Sequence, residues 1–261
     1  MGQRITRAKA KIKATRIPYR VPSAEDLPAR VDGVLTVLYL VFNEGYLATG
    51  PGTDPVRHDL TAEAIRLTRL LRALLPDDGE VTGLLALMLL TEARRRARVS
   101  GQGELVSLDQ QDRGAWDPVL IAEGHRLVRE RLAAGVAPGR YQILAAINAV
   151  HTSARDIRDT DWSQVLALYD QLMVADRSPV VALNRAVAVA ELDGPEVALA
   201  AVDRLQDALA GYHAYHATRA DLLRRLGRGD QARAAYDAAI GLAGNSAEVA
   251  WLTRRRDQLG Q

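Results

Sequence analysis

The sequence predicts an all-α protein: a helical bundle that continues into a short solenoid of helix hairpins, closed by a C-terminal capping helix. Two observations carry this. Apolar residues recur at helical spacing through almost the whole chain, while strand-like alternation is confined to Glu104-Leu105-Val106-Ser107-Leu108, too short to form a sheet by itself. In addition, Ala186, Val189, Asp193, Ala198 and Val202 are matched by Ala220, Leu223, Gly227, Ala232 and Tyr236, every pair 34 residues apart.

Thirty-four residues is the tetratricopeptide period, in which each unit is two antiparallel helices that cannot bury their apolar faces alone. The second copy, HATRADLLRRLGRGDQARAAYDAAIGLAGN, fits the consensus best. Ala220 and Ala232 fall where the two helices cross and only a small side chain lets the backbones approach. Gly227 is expected to end the first helix in a left-handed conformation. Tyr236 and Ala239 are expected to face the next unit.

Taken in order, Gly2–Ala14 reads as a helix with Ile5, Ala8 and Ile12 on one face. Pro18 and Pro22 make 15–22 an extended linker, because each disfavours α geometry at the residue before it. Ser23 is an N-cap, with Glu25 and Asp26 in the first turn, for a helix to about Glu44. A Gly/Pro turn at Ala48–Thr53 follows, then amphipathic Asp59–Leu75, ended by Pro76 and Gly79. Glu80–Arg98 is apolar from Leu84 to Leu90 and therefore central. Asp117 caps a helix whose first residue is Pro118 and which runs to about Ala134. Helices at Tyr141–Ala154, Trp162–Val174, Pro179–Leu192, Pro195–Ala210, Tyr212–Leu226, Asp230–Leu242 and Ala247–Leu259 complete the chain. The expected parts are 1–22, 23–135 and 136–261, the last two packed together.

The 261 residues are 48% hydrophobic and 25% charged, values of a globular protein able to bury a core. With no cysteine, disulfides, thiolate metal sites and cysteine nucleophiles are excluded, and a reducing cytoplasm is the expected location. Neither Val37–Phe42 nor Leu84–Leu90 approaches the ~20 residues of a membrane span, so no membrane partner is expected. The net charge of +2 hides an asymmetry. Residues 1–20 hold Arg4, Arg7, Lys9, Lys11, Lys13, Arg16 and Arg20 and no acid; the other 27 Lys and Arg face 32 Asp and Glu, leaving a body of −5.

Polar groups in apolar surroundings mark two candidate sites. In Leu40-Val41-Phe42-Asn43-Glu44-Gly45-Tyr46, Asn43, Glu44 and Tyr46 are either ligand or domain contacts in a pocket, or the end of a helix terminated by Gly45 with Tyr46 packed back. In the stretch Asp109–Asp117, Asp109 and Asp112 invite a divalent metal or acid–base reading. Oxygen-ligand loops, however, need more carboxylates and a turn glycine. A loop pinned by an Asp–Arg113 pair and a buried Trp116 is the structural alternative. His213 and His216 lie one turn apart without a third ligand. Arg94, Arg95, Arg96 and Arg98 read as a solvated helix end that stabilises the C-terminal dipole, with a phosphate contact as the alternative. No phosphate loop or nucleophile motif occurs, so neither an enzyme nor a cofactor is expected.

The segments GQRITRAKAKI and RIPYRVP resemble the end of the recognition helix, and its exit, in the upstream-promoter-reading domain of bacterial extracytoplasmic-function (sigma-24-like) sigma factors. LYLVFNEGY, EAIRLTRLL, LLALMLLTEARRRAR, LVSLDQQDRGAWD, YQILAAINAVH, TDWSQVLALYD and SPVVALNRAVAVAELDGP follow in order. They resemble the C-terminal extension of the subgroup whose extension ends in tetratricopeptide-like repeats. LDQQDR departs from the family's usual DQDR directly after the leucine. The resemblance implies a regulatory module of such a factor, with core RNA polymerase and promoter DNA as partners in the full-length context, beside the factor's own DNA-reading domain and a regulatory protein. On this resemblance the chain opens near the end of the recognition helix and lacks the polymerase-gripping domain. Alone it is expected neither to bind a promoter specifically nor to open one. Arg4, Arg7, Lys9, Lys11 and Lys13 are candidate non-specific phosphate contacts. The expected working surface joins Asn43–Tyr46 to a concave repeat face carrying Asn184 and Arg185. Two rivals stand: a free-standing repeat adaptor for a protein partner, and a small-molecule sensor or enzyme using the Asn43/Glu44/Tyr46 and Asp109/Asp112 groups.

Overall fold

The structure, a computed structural model, describes residues 14, 23, 25–48, 50, 55–100 and 103–260. The helix and linker expected over 1–22, and the cations Arg4, Arg7, Lys9, Lys11 and Lys13, lie outside the described residues apart from Ala14. Every regular element described is helical; an isolated antiparallel bridge pairs Val99 with Leu105. No described helix is long and apolar enough to cross a membrane.

Backbone contacts divide the chain into two units, 1–36 and 37–261. In the first, Ser23 accepts from the Asp26 amide at 3.2 Å and donates to the Asp26 carboxylate at 2.9 Å. This turn precedes α1, which runs Leu27–Tyr46 and passes into the second unit.

The second unit holds α2 (His58–Leu74), α3 (Gly79–Glu92), the short α4 (Arg95–Arg98), α5 (Pro118–Ala133), α6 (Arg140–Ser153) and α7 (Trp162–Ala175). After these come α8 (Pro179–Leu192), α9 (Pro195–Asp203), the short α10 (Gln206–Leu209), α11 (His213–Arg225), α12 (Gly229–Leu242) and α13 (Ser246–Asp257). The starts follow local chemistry. Asp78, Asp117, Asp161, Ser178 and Asn245 each accept amides of the first turn, and Pro118, Pro179 and Pro195 open their helices. Two expected helices are interrupted: Glu80–Arg98 breaks at Ala93–Arg94, and Pro195–Ala210 breaks at Arg204–Leu205.

α3 is buried on every side from Val81 to Glu92 and packs against α2, α5 and α6. Its apolar run, with Leu84, Leu85, Leu89 and Leu90 at 0–2% exposure, contributes roughly 1.5–3 kcal/mol per leucine to the core. Close approach to α6 needs Gly83, where a Cβ would stand 2.6 Å from the Gln142 nitrogen. One turn earlier the Glu80 carboxylate accepts the Tyr141 amide at 3.0 Å and the Gln142 amide at 3.3 Å. It supplies the cap that Gly139 cannot, and its charge suits the positive end of α6. The Tyr39 ring of α1 meets Tyr141 edge-on at 5.5 Å.

From α6 onward each long helix packs on the next long one, and the short α10 packs on α8. Ala186, Ala198, Ala220 and Ala232 are 0–1% exposed in one apolar cluster with Tyr236 and Ala239, and Gly227 ends its turn at φ +70°. The period extends to ion pairs: Arg225 reaches Glu191 at 2.7 Å and Arg255 reaches Asp221 at 3.0 Å, both 34 residues apart. α13 therefore occupies the position of a third first-helix and closes the stack.

Candidate functional site

The Asn43–Tyr46 block is the last turn of α1, not a segment beyond its end. Gly45 does not terminate the helix. It is buried, and a Cβ there would lie 2.7 Å from the Thr61 nitrogen and 2.8 Å from the Arg57 carbonyl oxygen. The Arg57 amide donates to the Gly45 carbonyl at 2.9 Å. The glycine therefore serves the crossing of α1 with the start of α2. Tyr46 stacks on Phe42, centroids 6.4 Å apart, and the Arg98 guanidinium carbon sits 3.1 Å from the centroid of the Tyr46 ring. Arg98 is 6% exposed; burial lowers its pKa, with Tyr46 and Glu92 opposing that shift. Asn43 and Glu44 are half-buried beside it in the same turn.

The 107–117 loop folds as two 3-10 turns, Leu108–Gln110 and Arg113–Ala115. The expected Asp–Arg pair is not what pins it. Asp109 is exposed, and Asp112, also exposed, accepts the Gly114 amide at 2.8 Å. Arg113 instead donates to the carbonyls of His151 and Ala154, both at 2.8 Å, satisfying the C-terminal end of α6. Trp116 is buried as expected, with the Arg113 guanidinium carbon 4.6 Å from its ring centroid. The Asp117 amide donates to the Ala93 carbonyl at 2.9 Å and ties the loop to the break after α3.

That break places the arginine run differently from the solvated helix end that the sequence suggests. Of the four arginines expected to be solvated, Arg96 is exposed and Arg95 pairs with Glu92 at 2.9 Å, but Arg94 and Arg98 turn inward. Arg94 donates to the Asn148 side chain at 3.3 Å. Three residues further along α6, His151 is packed edge-on against Trp162 at 5.3 Å. Its pKa is lowered to about 4 by burial and by the charges of Arg94 and Arg113. Arg94 Nε, Arg113 Nη2, Trp116 Nε1 and His151 Nδ1 are all buried without a hydrogen-bond partner, as are Ser107 Oγ and Gln111 Oε1 in the same loop. A four-residue turn set off from the axis of α3 breaks the helical periodicity by which inward arginines are recognised.

Asn184 is exposed on α8, and Arg185 pairs with Asp170 of α7 at 2.6 Å. That hydrogen bond of Arg185 runs to α7, not to the 107–117 loop. His213 pairs with Glu248 at 2.9 Å and His216 bonds the Ala210 carbonyl at 2.8 Å, so the two histidines face different partners. Among the described residues no group of three or more His, Asp or Glu side chains could hold a metal ion. An apolar groove runs between α5 and α7 over the small residues of α6, lined by Val128, Leu132, Ala146 and Leu168.

Residues 30–132 match a protein family of unknown function, DUF6596. An uncharacterized protein of Rhizobium meliloti (strain 1021) is 47% identical over 259 residues, which cover 99% of this chain and 61% of that protein. The chain thus spans about three-fifths of the length of this relative. No solved structure matches.

Proposed function

We propose that the chain is the C-terminal regulatory module of an extracytoplasmic-function sigma factor, a helical stack that tunes transcription initiation by RNA polymerase and performs no chemistry. The observation that carries this reading is the meeting of three of the resembling blocks at α4. Arg98, from LLALMLLTEARRRAR, lies on Tyr46 of LYLVFNEGY. Just before Arg98 in the chain, the Ala93 carbonyl accepts the Asp117 amide of LVSLDQQDRGAWD, and the charge of Arg94 acts on Arg113 of the same block. Blocks spread over seventy residues therefore pack at one junction, as the parts of a single folded module do. The relative's greater length fits a module belonging to a longer polypeptide. Core polymerase, promoter DNA and the factor's own DNA-reading domain are its partners in that context, in the cytoplasm.

The test is transcription from a cognate promoter by the full-length product of the reading frame, with Tyr46→Ala or Arg98→Gln in this module. Changed output at unchanged protein level supports the reading. A full-length product that neither associates with core polymerase nor carries a DNA-reading domain overturns it. The apolar groove over α6 favours the second reading, a repeat adaptor whose protein partner docks on Leu132 and Leu168. Capture of a defined helical peptide there, lost in Leu132→Asp, would bring the adaptor forward.

A further inference from the structure

We propose that the chain binds a small oxyanion, a phosphate or carboxylate group, where the end of α3, the 107–117 loop and the end of α6 meet, held by the guanidiniums of Arg94 and Arg113 and the indole N–H of Trp116. The inference does not depend on the regulatory reading; it follows from unbalanced charge and unmade hydrogen bonds at one place.

The charge comes first. Several other arginines around the stack pair with acids: Arg69 with Glu123 at 2.6 Å, Arg72 with Glu130 at 2.7 Å, Arg225 with Glu191 at 2.7 Å and Arg255 with Asp221 at 3.0 Å, while buried Arg98 lies on the Tyr46 ring without an ion pair among the described residues. Arg94 and Arg113 have no ion pair among the described residues; burial is the main cause that lowers the Arg113 pKa, Asp156 opposes it, and the charge of Arg94 adds to it. The acids that act on Arg113, Asp156 and Asp159, do so without a direct ion pair. Glu92 binds Arg95 and His58, and Asp156 binds Arg158 at 2.9 Å while acting on Arg113 only from a distance. Two like charges near one another, both half-buried, are stabilised by an anion that binds between them.

The hydrogen bonds agree. Arg113 spends one nitrogen on the His151 and Ala154 carbonyls, leaving Nη2 buried and unpartnered. Arg94 spends one on Asn148, leaving Nε buried and unpartnered. The Trp116 indole nitrogen, under the Arg113 guanidinium, is a third donor without an acceptor. His151 Nδ1, on the same turn of α6, is the fourth unpartnered atom and donates in the matching tautomer. Three N–H donors with no acceptor, two of them on planar cations, match an oxyanion, which accepts several bonds at once and is the preferred partner of guanidinium forks. A metal cation is excluded by the sign of the site, and a neutral ligand would leave the two charges uncompensated.

The experiment titrates the intact chain with inorganic phosphate, sulfate and acetate at ionic strength matched with chloride, read by thermal unfolding and by the indole N–H resonance of Trp116. Phosphate or acetate is expected to give a saturable stabilisation and to move that resonance; phosphate acting where acetate does not identifies a phosphoryl ligand, and the converse a carboxylate. Trp116→Phe keeps an aromatic ring and removes the N–H together with the pyrrole part of the indole, so it should weaken binding by about tenfold, and Arg94→Gln, which leaves the buried Trp116 ring in place, should weaken it at least as much. Arg66→Gln, whose arginine pairs with Glu63 on the surface, should leave it unchanged. No effect beyond chloride overturns the proposal, since the donors are then met by water. So does binding that survives both Arg94→Gln and Trp116→Phe, which places the anion elsewhere.

Discussion

The side-chain amide of Asn245 donates to the backbone carbonyl of Ala48 across 2.6 Å, joining residues 197 positions apart. The same side chain accepts the Ala247 amide at 2.8 Å, capping α13, and beside it the Gly50 amide donates to the Gly244 carbonyl at 3.2 Å. Further along α13, Arg254 pairs with Glu104. A buried asparagine thus serves as both helix cap and tether, and the closing helix is fastened to the turn after α1 and to the loop after α4.

Asn245→Ala removes both functions and leaves the buried Ala48 carbonyl unpaired. The expected loss is about 2–4 kcal/mol, with about 1 kcal/mol of it from the cap. Asn245→Ser keeps a capping oxygen and loses only the tether, so it should fall between Ala and wild type. Urea denaturation of the three proteins checks the order. If Ser and Ala are indistinguishable, the tether contributes nothing.

Gly45→Ala places a methyl group against the backbone of Thr61 and Arg57, which cannot rotate aside. A destabilisation of about 1–3 kcal/mol is expected from overpacking. Gly33, on the same helix, has nothing within 4 Å of its Cβ position. There Gly33→Ala should instead stabilise by up to about 1 kcal/mol through helix propensity. Opposite shifts in thermal midpoint are the signature; equal shifts would deny the close approach at Gly45.

These two glycines show what the sequence does and does not carry. The all-α class, the caps at Asp117 and Ser178, and the repeat with its small crossing residues are written in local spacing, because each depends on neighbours within one turn or one period. The role of Gly45 depends on Arg57 and Thr61, brought back by a turn whose direction no helical pattern encodes. The same holds for the arginine run. Its composition suits a solvated helix end, and only the break at Ala93–Arg94 decides that Arg94 and Arg98 face inward while Arg96 stays in solvent. Trp116 was legible as buried, but its guanidinium partner's real acceptors, the end carbonyls of α6, lie thirty-eight or more residues away.

Equivalent positions of the repeat should respond alike. Ala198 and Ala232 are both 0% exposed, where the second helix of each hairpin crosses the first. Ala198→Leu and Ala232→Leu are each expected to lose about 1–3 kcal/mol, since the helices must separate to admit the larger side chain. Ala234→Leu, on the exposed face of α12, should change stability by less than ~0.5 kcal/mol. A large loss at only one of the two crossing sites would mean that the hairpins are not structurally equivalent.

Two histidines should shape the pH dependence of stability in opposite directions. His151 has a folded pKa of about 4 against an ordinary 6.5, because burial and the charges of Arg94 and Arg113 disfavour its protonated form. The unfolded chain therefore takes up the proton first. Stability linked to His151 is fully present above pH ~6.5 and is lost as pH falls toward 4, by an amount on the order of 3 kcal/mol. His213 is the converse: its hydrogen bond to Glu248 raises its pKa against the effect of burial. Its contribution is complete below the ordinary value and fades as pH rises through the raised one. Denaturation midpoints of His151→Gln should therefore show a flattened acid limb, while those of His213→Gln should lose stability near pH 5.5 and converge on wild type at pH 8. An acid limb unchanged in His151→Gln would show that other groups govern it. Because the charges of Arg94 and Arg113 add to burial in lowering the His151 pKa, Arg94→Gln should move the midpoint of that limb upward, a coupling that links the stability curve to the same junction of α3, loop and α6.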